Sequence, residues 1–143
     1  MITIIERQFR KGIAMAVLKY SRQRESIKEF LAHTKEHPTA DTVYMNIRKI
    51  YPNISLGTVY RNLNLLTDLG DIIKISCGDG CDRFDGNVDP HYHFVCTHCN
   101  SVEDIYIGYM KELDETVNQL FDGQIESHKA IFYGKCSKCK TCN

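Results

Sequence analysis

Two Cys-x2-Cys pairs in the second half of the chain constrain its fold more than any other sequence feature. Four thiolates around one ion are typical of a closed, tetrahedral zinc site that stabilises structure and does no chemistry. Residues 100–135 separate the pairs, too many for a single zinc ribbon, so the ion would join the C-terminal tail to a preceding pair of strands. The predicted ligands are Cys96, Cys99, Cys136 and Cys139.

The other three cysteines leave alternatives open. The sequence contains no long apolar run and no signal-peptide pattern, so we expect a cytosolic protein in which cysteines serve metal binding or redox chemistry. Cys142 continues the spacing of the second pair, which gives the zinc ligands an alternative register. Cys77 and Cys81 flank Gly78-Asp79-Gly80; we expect two thiols, with a disulfide across a hairpin as the alternative.

A second possible metal site, without thiolate, lies in the stretch Asp85–Asp104. His91 and His93 are two residues apart on a predicted strand, so both rings leave the same face while Tyr92 leaves the other. Nitrogen and oxygen ligands suit Fe(II), Mn(II), Ni(II) or Zn(II). The alternative is a pair of half-exposed histidines beside acidic loop residues, and spacing alone does not decide between the two.

The first half of the sequence predicts four helices and a hairpin. Residues 4–20 form the first helix, Ser21 and Thr39 cap the second and third, and the fourth runs from Ser55 to a C-terminal cap at Gly70. Strands over 71–77 and 81–85 follow as a hairpin. The predicted inward residues are Ile27, Phe30 and Leu31, then Val43, Ile47 and Ile50, then Leu56, Val59, Leu63, Leu66 and Leu69.

This arrangement is typical of a winged helix-turn-helix. The exposed side of the fourth helix carries small, hydrogen-bonding and cationic groups, as reading a major groove requires: Thr58, Tyr60, Arg61 and Asn62. Arg22 and Arg24 make a basic helix start that suits phosphate. Counts of Lys and Arg against Asp and Glu are 12 to 9 over residues 1–82, but 6 to 9 over residues 83–143. The alternative is a small α/β subdomain without a nucleic-acid partner.

The second half predicts strands, a helix and a last strand. Strands are expected over 91–95 and 101–107, a helix over 110–121 and a strand over 124–134. The inward face of the helix is assigned to Leu113, Val117, Leu120 and Phe121. The overall prediction is an α+β protein with a winged-helix domain over 1–85, a hinge over 86–90 and a second domain over 91–143.

Five separated motifs carry a resemblance to a known family. They are His37-Pro-Thr-Ala-Asp41, Gly57-Thr-Val-Tyr-Arg-Asn-Leu63, Arg83-Phe-Asp85, His91-Tyr-His-Phe-Val-Cys-Thr-His-Cys99 and Cys136-x2-Cys139. Over residues 21–139 the chain resembles the ferric uptake regulator family of bacterial metal-dependent repressors, and most closely its peroxide-sensing branch. One departure is Ser21-Arg22-Gln23-Arg24, where the family usually has Thr-Pro-Gln-Arg.

The resemblance implies a homodimer that binds an inverted repeat in double-stranded DNA. It implies structural zinc on the four cysteines and an α/β dimerisation domain at the C-terminus. A regulatory Fe²⁺ or Mn²⁺ at the hinge would be held by His37, Asp85, His91, His93 and Asp104. With iron, peroxide would oxidise His37 or His91 and release the repressor from DNA. Asp85 and Asp104 favour the peroxide branch, because iron-uptake members usually carry glutamate at both positions.

Three other functions are weighed against this one. An iron-, zinc- or nickel-responsive repressor of the same family would differ in the metal that restores DNA binding. A zinc hydrolase or deaminase is disfavoured, because the sequence contains neither His-Glu-x2-His nor a His-x-Glu with a downstream Pro-Cys-x2-Cys. A thiol oxidoreductase would need a cysteine pair outside the zinc site. We therefore predict a regulator and not an enzyme.

Overall fold

The computed structural model describes residues 19–78 and 80–141. The helix predicted over 4–20 lies almost wholly outside the described residues, and so does Cys142. The predicted α+β class is confirmed. Along the chain the elements are α1 (Arg22–His33), α2 (Ala40–Ile47), α3 (Leu56–Leu69), β1 (Ile73–Ser76), β2 (Asp82–Asp85), β3 (Tyr92–Cys96), β4 (Val102–Ile105), α4 (Lys111–Leu120), β5 (Ile131–Gly134) and α5 (Ser137–Lys140). Of the described helices, none has the length and apolar character needed to cross a bilayer.

The first three helices begin at the predicted caps. The hydroxyl oxygens of Ser21, Thr39 and Ser55 accept hydrogen bonds from backbone N–H groups in the first turns of α1, α2 and α3. Each such bond satisfies a donor that the helix itself leaves without a partner. Gly70 ends α3 with φ 76, a left-handed conformation that glycine adopts without steric cost.

The helices and the hairpin share one hydrophobic core. Its residues come from α1, α2, α3 and β2, and include Ile27, Leu31, Val43, Ile47, Val59, Leu63, Leu66 and Phe84. The prediction that Ile50 points inward is wrong, because its side chain is 62% exposed. α2 ends at Ile47, and the turn that follows carries residue 50 out of the helical periodicity. Leu56 and Leu69, at the two ends of α3, are half-buried.

The hairpin brings the end of β2 against the loop before α2. β1 and β2 are antiparallel, with Ile73 opposite Asp85. The Phe84 N–H donates to the Pro38 carbonyl at 3.0 Å, which joins β2 to the residue next to His37. Gly86 follows directly, and a Cβ there would lie 2.5 Å from the Leu31 carbonyl carbon. Only glycine permits this approach of the chain to α1.

The second half contains a three-stranded sheet in the order β4-β3-β5. β3 and β4 are antiparallel, and their register places His93 opposite Asp104. β5 is parallel to β3 and shorter than the strand predicted over 124–134, because residues 124–130 form no strand. In that segment the Asn118 side chain bonds both the N–H and the carbonyl of Ile125, which occupies backbone groups that a strand would need.

The predicted orientation of α4 is wrong. Its apolar residues are exposed: Leu113 is 44% exposed, Val117 38%, Leu120 86% and Phe121 54%, whereas the buried residue is Asp114. These four side chains form an apolar surface, here called the α4 face. Exposed apolar patches of this kind mark interaction sites, so the α4 face is suited to contact with another protein surface.

Candidate metal centres

The four predicted zinc ligands lie together: Cys96 ends β3, Cys99 lies in the turn after it, and Cys136 and Cys139 lie at the start of α5 and within it. Every Sγ of Cys96, Cys99, Cys136 and Cys139 lies within 4.8 Å of the others. Cys99 and Cys136 have a sulfur–sulfur distance of 3.8 Å. A tetrahedron with zinc–sulfur bonds of about 2.3 Å has edges of about 3.8 Å, so the donor set fits zinc in type and spacing. Asn100 adopts φ 58 and turns the chain immediately after the first pair.

Backbone donors and neighbouring thiols polarise this cluster. N–H groups of Cys136 and Cys99 lower the pKa of the buried Cys96 thiol to about 6. The neighbouring Cys136 thiol raises the pKa of Cys139 to about 12. Four thiols this close cannot all ionise unless a cation offsets their repulsion, and a dication would do so.

A second cluster gathers three imidazoles around two carboxylates. Asp85 Oδ2 lies 3.4 Å from His37 Nε2, 2.9 Å from His91 Nε2 and 3.1 Å from His93 Nε2. Asp104 Oδ1 lies 2.8, 3.1 and 3.5 Å from the same three nitrogens. The structure therefore brings together all five residues that the resemblance implied as regulatory ligands.

These ligands come from distant parts of the chain. His37 precedes α2 and Asp85 ends β2, both within the helical half. His93 and Asp104 are opposed residues on β3 and β4, and His91 lies directly before β3. An ion bound here would therefore connect the helical half of the molecule to its C-terminal sheet.

The electrostatics of the cluster favour positive charge. Burial opposes ionisation of Asp85, but hydrogen bonds from His37 and His93 and from the Asn87 N–H outweigh it and hold the Asp85 pKa well below its usual range. Burial also opposes protonation of His37, yet hydrogen bonding and charge from Asp85, with Asp104, raise the pKa of its imidazole. Protons on the imidazoles and a metal ion are alternative ways of balancing the carboxylates.

One atom in the cluster has no structural explanation. His37 Nδ1 is buried without a hydrogen-bond partner among the described residues. An unsatisfied buried polar group costs about 1–3 kcal/mol, so core packing alone does not account for a histidine here. His91 is held differently, because its Nδ1–H donates to the Asp89 carbonyl at 2.6 Å. This bond leaves the Nε2 lone pair directed at the carboxylates, as a metal ligand requires. The donor set fits Fe(II), Mn(II), Ni(II) or Zn(II).

Comparison with known proteins agrees with this geometry. The profile of the ferric uptake regulator family matches residues 15–133. The chain belongs to the ferric uptake regulator family. It is therefore a transcriptional regulator and not an enzyme, in a family of metal-responsive repressors.

The similar proteins include peroxide-responsive repressors and a ferric uptake regulator. The peroxide-responsive repressor PerR of Staphylococcus epidermidis is 32% identical over 139 residues, which cover 95% of this chain and 93% of that protein. The Campylobacter jejuni peroxide stress regulator superposes with a TM-score of 0.73 at 28% identity, covering 96% of this chain and 99% of that one. The Helicobacter pylori ferric uptake regulator superposes with a TM-score of 0.78 at 23% identity, covering 100% and 96%, and supports the fold.

A tyrosine that the sequence did not single out contacts Asp104, one of the candidate metal ligands. The Tyr106 hydroxyl donates to Asp104 Oδ2 at 2.6 Å, while Asp104 Oδ1 faces the imidazoles. This hydrogen bond to the carboxylate raises the pKa of Tyr106, so the phenol remains a donor. Its ring also stacks on that of His91, with centroids 6.1 Å apart. Tyr106 thus orients Asp104 from outside the ligand set.

Replacing Tyr106 with phenylalanine is expected to weaken Mn(II) binding about tenfold, at the low end of the range for such outer contacts. The change removes one hydroxyl and leaves the ring against His91. Titration calorimetry with the zinc-containing protein measures the affinity. Tyr133→Phe, on β5 away from the ligands, is the matched control. Equal affinities in the two variants would show that Tyr106 does not orient Asp104.

A second polar cluster supports β3 between two of the ligands. Tyr92 bonds His128 Nε2 at 2.5 Å, and His128 Nδ1 bonds Asp114 Oδ1 at 2.6 Å. The Tyr109 hydroxyl donates a hydrogen bond to Asp114. This bond is the main reason that the pKa of the Asp114 carboxyl is lowered. The cluster explains why Asp114 is the buried residue of α4. The sequence did not predict this cluster, because its members are spread over residues 92–128 and meet only in the folded chain.

The predicted DNA-contacting residues lie on the surface of α1 and α3. On α3, Tyr60 is 43% exposed and Arg61 is exposed. Arg61 donates to the Thr58 hydroxyl at 3.1 Å, and the Asn62 amide donates to the Thr58 carbonyl at 3.0 Å. At the start of α1, Arg22 is exposed, whereas Arg24 is half-buried and donates to the Lys19 carbonyl at 2.9 Å.

Proposed function

We propose that this protein is a metal-dependent DNA-binding repressor that senses hydrogen peroxide through iron-catalysed oxidation of its own histidine ligands. The observation that carries the proposal is the convergence of three imidazole nitrogens from both halves of the chain on Asp85 and Asp104. No cysteine belongs to that set, so it differs in chemistry from the four-thiol cluster. We assign structural zinc to the thiols and Fe²⁺ or Mn²⁺ to the nitrogen–oxygen set.

Occupancy of the nitrogen–oxygen set would control the arrangement of the two halves. We assign residues 1–85 to DNA binding, 86–90 to a hinge and 91–143 to dimerisation and metal binding. His37 and Asp85 then belong to the first unit, and His93 and Asp104 to the second. An arrangement in which all five ligands reach one point is favoured when an ion is bound, so metal binding shifts the population toward that arrangement.

DNA contact is assigned to α3 and to the start of α1. Tyr60 and Arg61 present aromatic and cationic groups on the exposed face of α3, beside the Thr58 hydroxyl. Arg22 and Arg24 accompany the helix N-terminus capped by Ser21, where phosphate is favoured. Side chains on α3 would read base edges in the major groove, while Arg22 would add affinity without sequence preference.

The α4 face is assigned to the dimer. Leu120 and Phe121 are 86% and 54% exposed, and Phe132 and Tyr133 on β5 are 45% and 60% exposed. Covering these side chains removes apolar area from water, which is the main favourable term in subunit association. Two copies related by a two-fold axis would also present two α3 helices, which suits an inverted repeat in DNA.

Peroxide sensing is assigned to His37 and His91. Iron in this ligand set would supply the electrons that reduce hydrogen peroxide, together with an oxidant confined to nearby side chains. A cavity of about 390 Å³ reaches His91 and His93, and its lining combines apolar residues such as Ile75 and Val88 with polar ones. It is large enough for peroxide to approach. Oxidation of a ligand imidazole would weaken the set that joins the two halves, and the repressor would leave DNA.

The test is peptide mass spectrometry on anaerobic, Fe(II)-loaded protein before and after one equivalent of hydrogen peroxide. We expect a gain of one oxygen on the peptide that holds His37 or His91, together with loss of operator binding. Mn(II)-loaded protein is the control and should keep both its mass and its DNA affinity. Intact histidines with DNA binding controlled by iron alone would instead identify an iron-responsive repressor.

Asp104→Glu gives a matched variant for the same experiment. The longer side chain keeps the charge but moves the carboxylate relative to the imidazoles, so Mn(II)-dependent DNA binding should persist while histidine oxidation falls several-fold. Oxidation yield and operator affinity are measured on the same samples. A peroxide response equal to that of the unchanged protein would remove Asp104 from the sensing chemistry.

A further inference from the structure

The tip of the β1–β2 hairpin carries two cysteines that neither metal cluster uses. The antiparallel ladder runs to Ser76 opposite Asp82. One further step of the same register places Cys77 opposite Cys81, with three residues between them in the sequence. Opposed residues in an antiparallel ladder have Cα atoms about 4.5–5.5 Å apart. A disulfide needs about 4.4–6.8 Å, so the register suits a bond between these two residues.

The residues next to the cysteines hold this register. Ser76 donates to Asp82 Oδ1 at 3.1 Å, and the Lys74 ammonium lies 2.7 Å from Asp82 Oδ2. Both contacts join β1 to β2 directly below the cysteines. Such cross-strand pairs hold the strand ends in place, so a cross-link between the next two residues requires little rearrangement of the hairpin.

One of the two cysteines is open to solvent. Cys81 is exposed, and Cys77 is half-buried. Gly78 and Gly80 have φ values of 79 and 81 and open space around them, so the turn can adjust to a cross-link. The zinc-cluster thiols belong to β3, the turn after it and the C-terminal tail, and a reaction at the hairpin does not require them.

We propose that Cys77 and Cys81 are a redox-active dithiol that closes to a disulfide across the hairpin tip in the presence of hydrogen peroxide, without the regulatory metal. The exposed Cys81 thiolate attacks one peroxide oxygen; the O–O bond breaks, a sulfenic acid forms, and the departing hydroxide takes up a proton as water. The Cys77 thiolate then attacks the Cys81 sulfur, the S–O bond breaks and a second water leaves. Two thiols lose two electrons in total and one peroxide becomes two waters.

The spacing protects the pair from irreversible oxidation. A sulfenic acid is oxidised further to a sulfinic acid unless another thiol reacts with it first. Here the second thiol is four positions away on the same hairpin, and the register places it opposite the first. The resulting disulfide would be returned to the dithiol by thiol exchange with a low-molecular-weight or protein thiol. The hairpin would thus add a reversible input beside the irreversible histidine oxidation.

The experiment uses the full chain with zinc bound and Mn(II) in place of iron, so that histidine oxidation does not contribute. After hydrogen peroxide, the thiols are blocked with N-ethylmaleimide and the protein is digested with trypsin. Cleavage after Lys74 and Arg83 places both cysteines on one peptide, residues 75–83. We expect this peptide to lose two hydrogens and to carry no maleimide, and to carry two maleimides when a reductant precedes the blocking step.

A synthetic peptide of residues 75–83 measures what the fold contributes. Disulfide formation in the protein should be at least about tenfold faster than in the peptide, because the ladder already aligns the two thiols. In the Cys81→Ser protein, the 75–83 peptide should not lose two hydrogens after peroxide treatment. Zinc content, measured in parallel, should be unchanged. Full maleimide labelling after peroxide, separate sulfinic acids, or equal rates in protein and peptide would each overturn the proposal.

Discussion

Replacing Cys96 with serine is expected to release zinc and unfold the C-terminal part of the chain. Cys96 is fully buried, and its sulfur accepts the Cys136 N–H at 3.4 Å, so it contacts both halves of the thiol cluster. Structural zinc contributes an apparent free energy of about 10–16 kcal/mol, comparable to the entire stability of about 5–15 kcal/mol of an ordinary domain. Among the described residues, the hydrophobic cluster here consists of three of the cysteines with Phe94 packed against them, and Phe94 cannot replace that contribution.

Zinc content by elemental analysis, thermal unfolding and size-exclusion chromatography with light scattering test this expectation together. The variant should contain less than a tenth of the zinc of the unchanged protein, should unfold at lower temperature and should lose the dimer. Cys81→Ser is the matched control, since it removes an exposed cysteine outside the cluster. A zinc-free Cys96→Ser protein that remains folded and dimeric would exclude a structural role for the four-cysteine site.

Replacing His37 with alanine is expected to abolish the effect of metal on DNA binding while leaving the fold intact. His37 is the imidazole that the helical half contributes, and its Nε2 lies 2.8 Å from Asp104 Oδ1 across the molecule. Without it, an ion bound by the sheet residues no longer has that link to the helical half. Coupling between sites is commonly worth about 5–150-fold in affinity, and we expect Mn(II) to lose an effect of that size on operator binding.

Fluorescence anisotropy with operator DNA, measured with and without Mn(II), gives the coupling directly. His33→Ala is the control, because His33 lies at the exposed end of α1 and bonds the Glu29 carbonyl within its own helix. That variant should retain the full metal effect. An unchanged metal effect in His37→Ala, with normal thermal stability, would mean that the ion acts without bridging the two halves.

The two variants separate the two proposed metals by their consequences. Loss of zinc should change folding and assembly, and DNA binding should fall only because the protein unfolds. Loss of the bridging ligand should change DNA binding at constant stability. The unfolding temperature of both variants, measured at increasing Mn(II) concentrations, distinguishes the cases. An ion that binds only the folded state raises this temperature by mass action.

Local sequence signals predicted the helical half well. Ser21, Thr39, Ser55 and Gly70 cap helices where expected, and Val59, Leu63 and Leu66 are buried. These features depend on interactions within a few residues, namely a hydroxyl with an N–H three residues on, or one face of a helix with its own periodicity. The prediction for Ile50 is wrong because the apolar periodicity does not continue past Ile47, where α2 ends.

Periodicity failed for α4, although the helix itself was predicted. An apolar stripe indicates which residues share a face but not what that face contacts. Asp114 lies inside because Tyr109 and His128 supply its hydrogen bonds, and His128 lies beyond the end of the helix. Leu120 and Phe121 lie outside, on the surface assigned to a second copy of the chain.

By itself, the sequence determined which donor groups are available, namely thiols, imidazoles and carboxylates, and which local elements carry them. Thiols with two residues between them, and histidines two positions apart at the start of a strand, are close because of covalent geometry and backbone periodicity alone. Tertiary structure decided the rest. His37 and Asp104 lie 67 positions apart, and only the packing of the hairpin, α1 and the sheet brings their side chains to 2.8 Å. Such contacts depend on the total free energy of the folded chain, which no local signal reports.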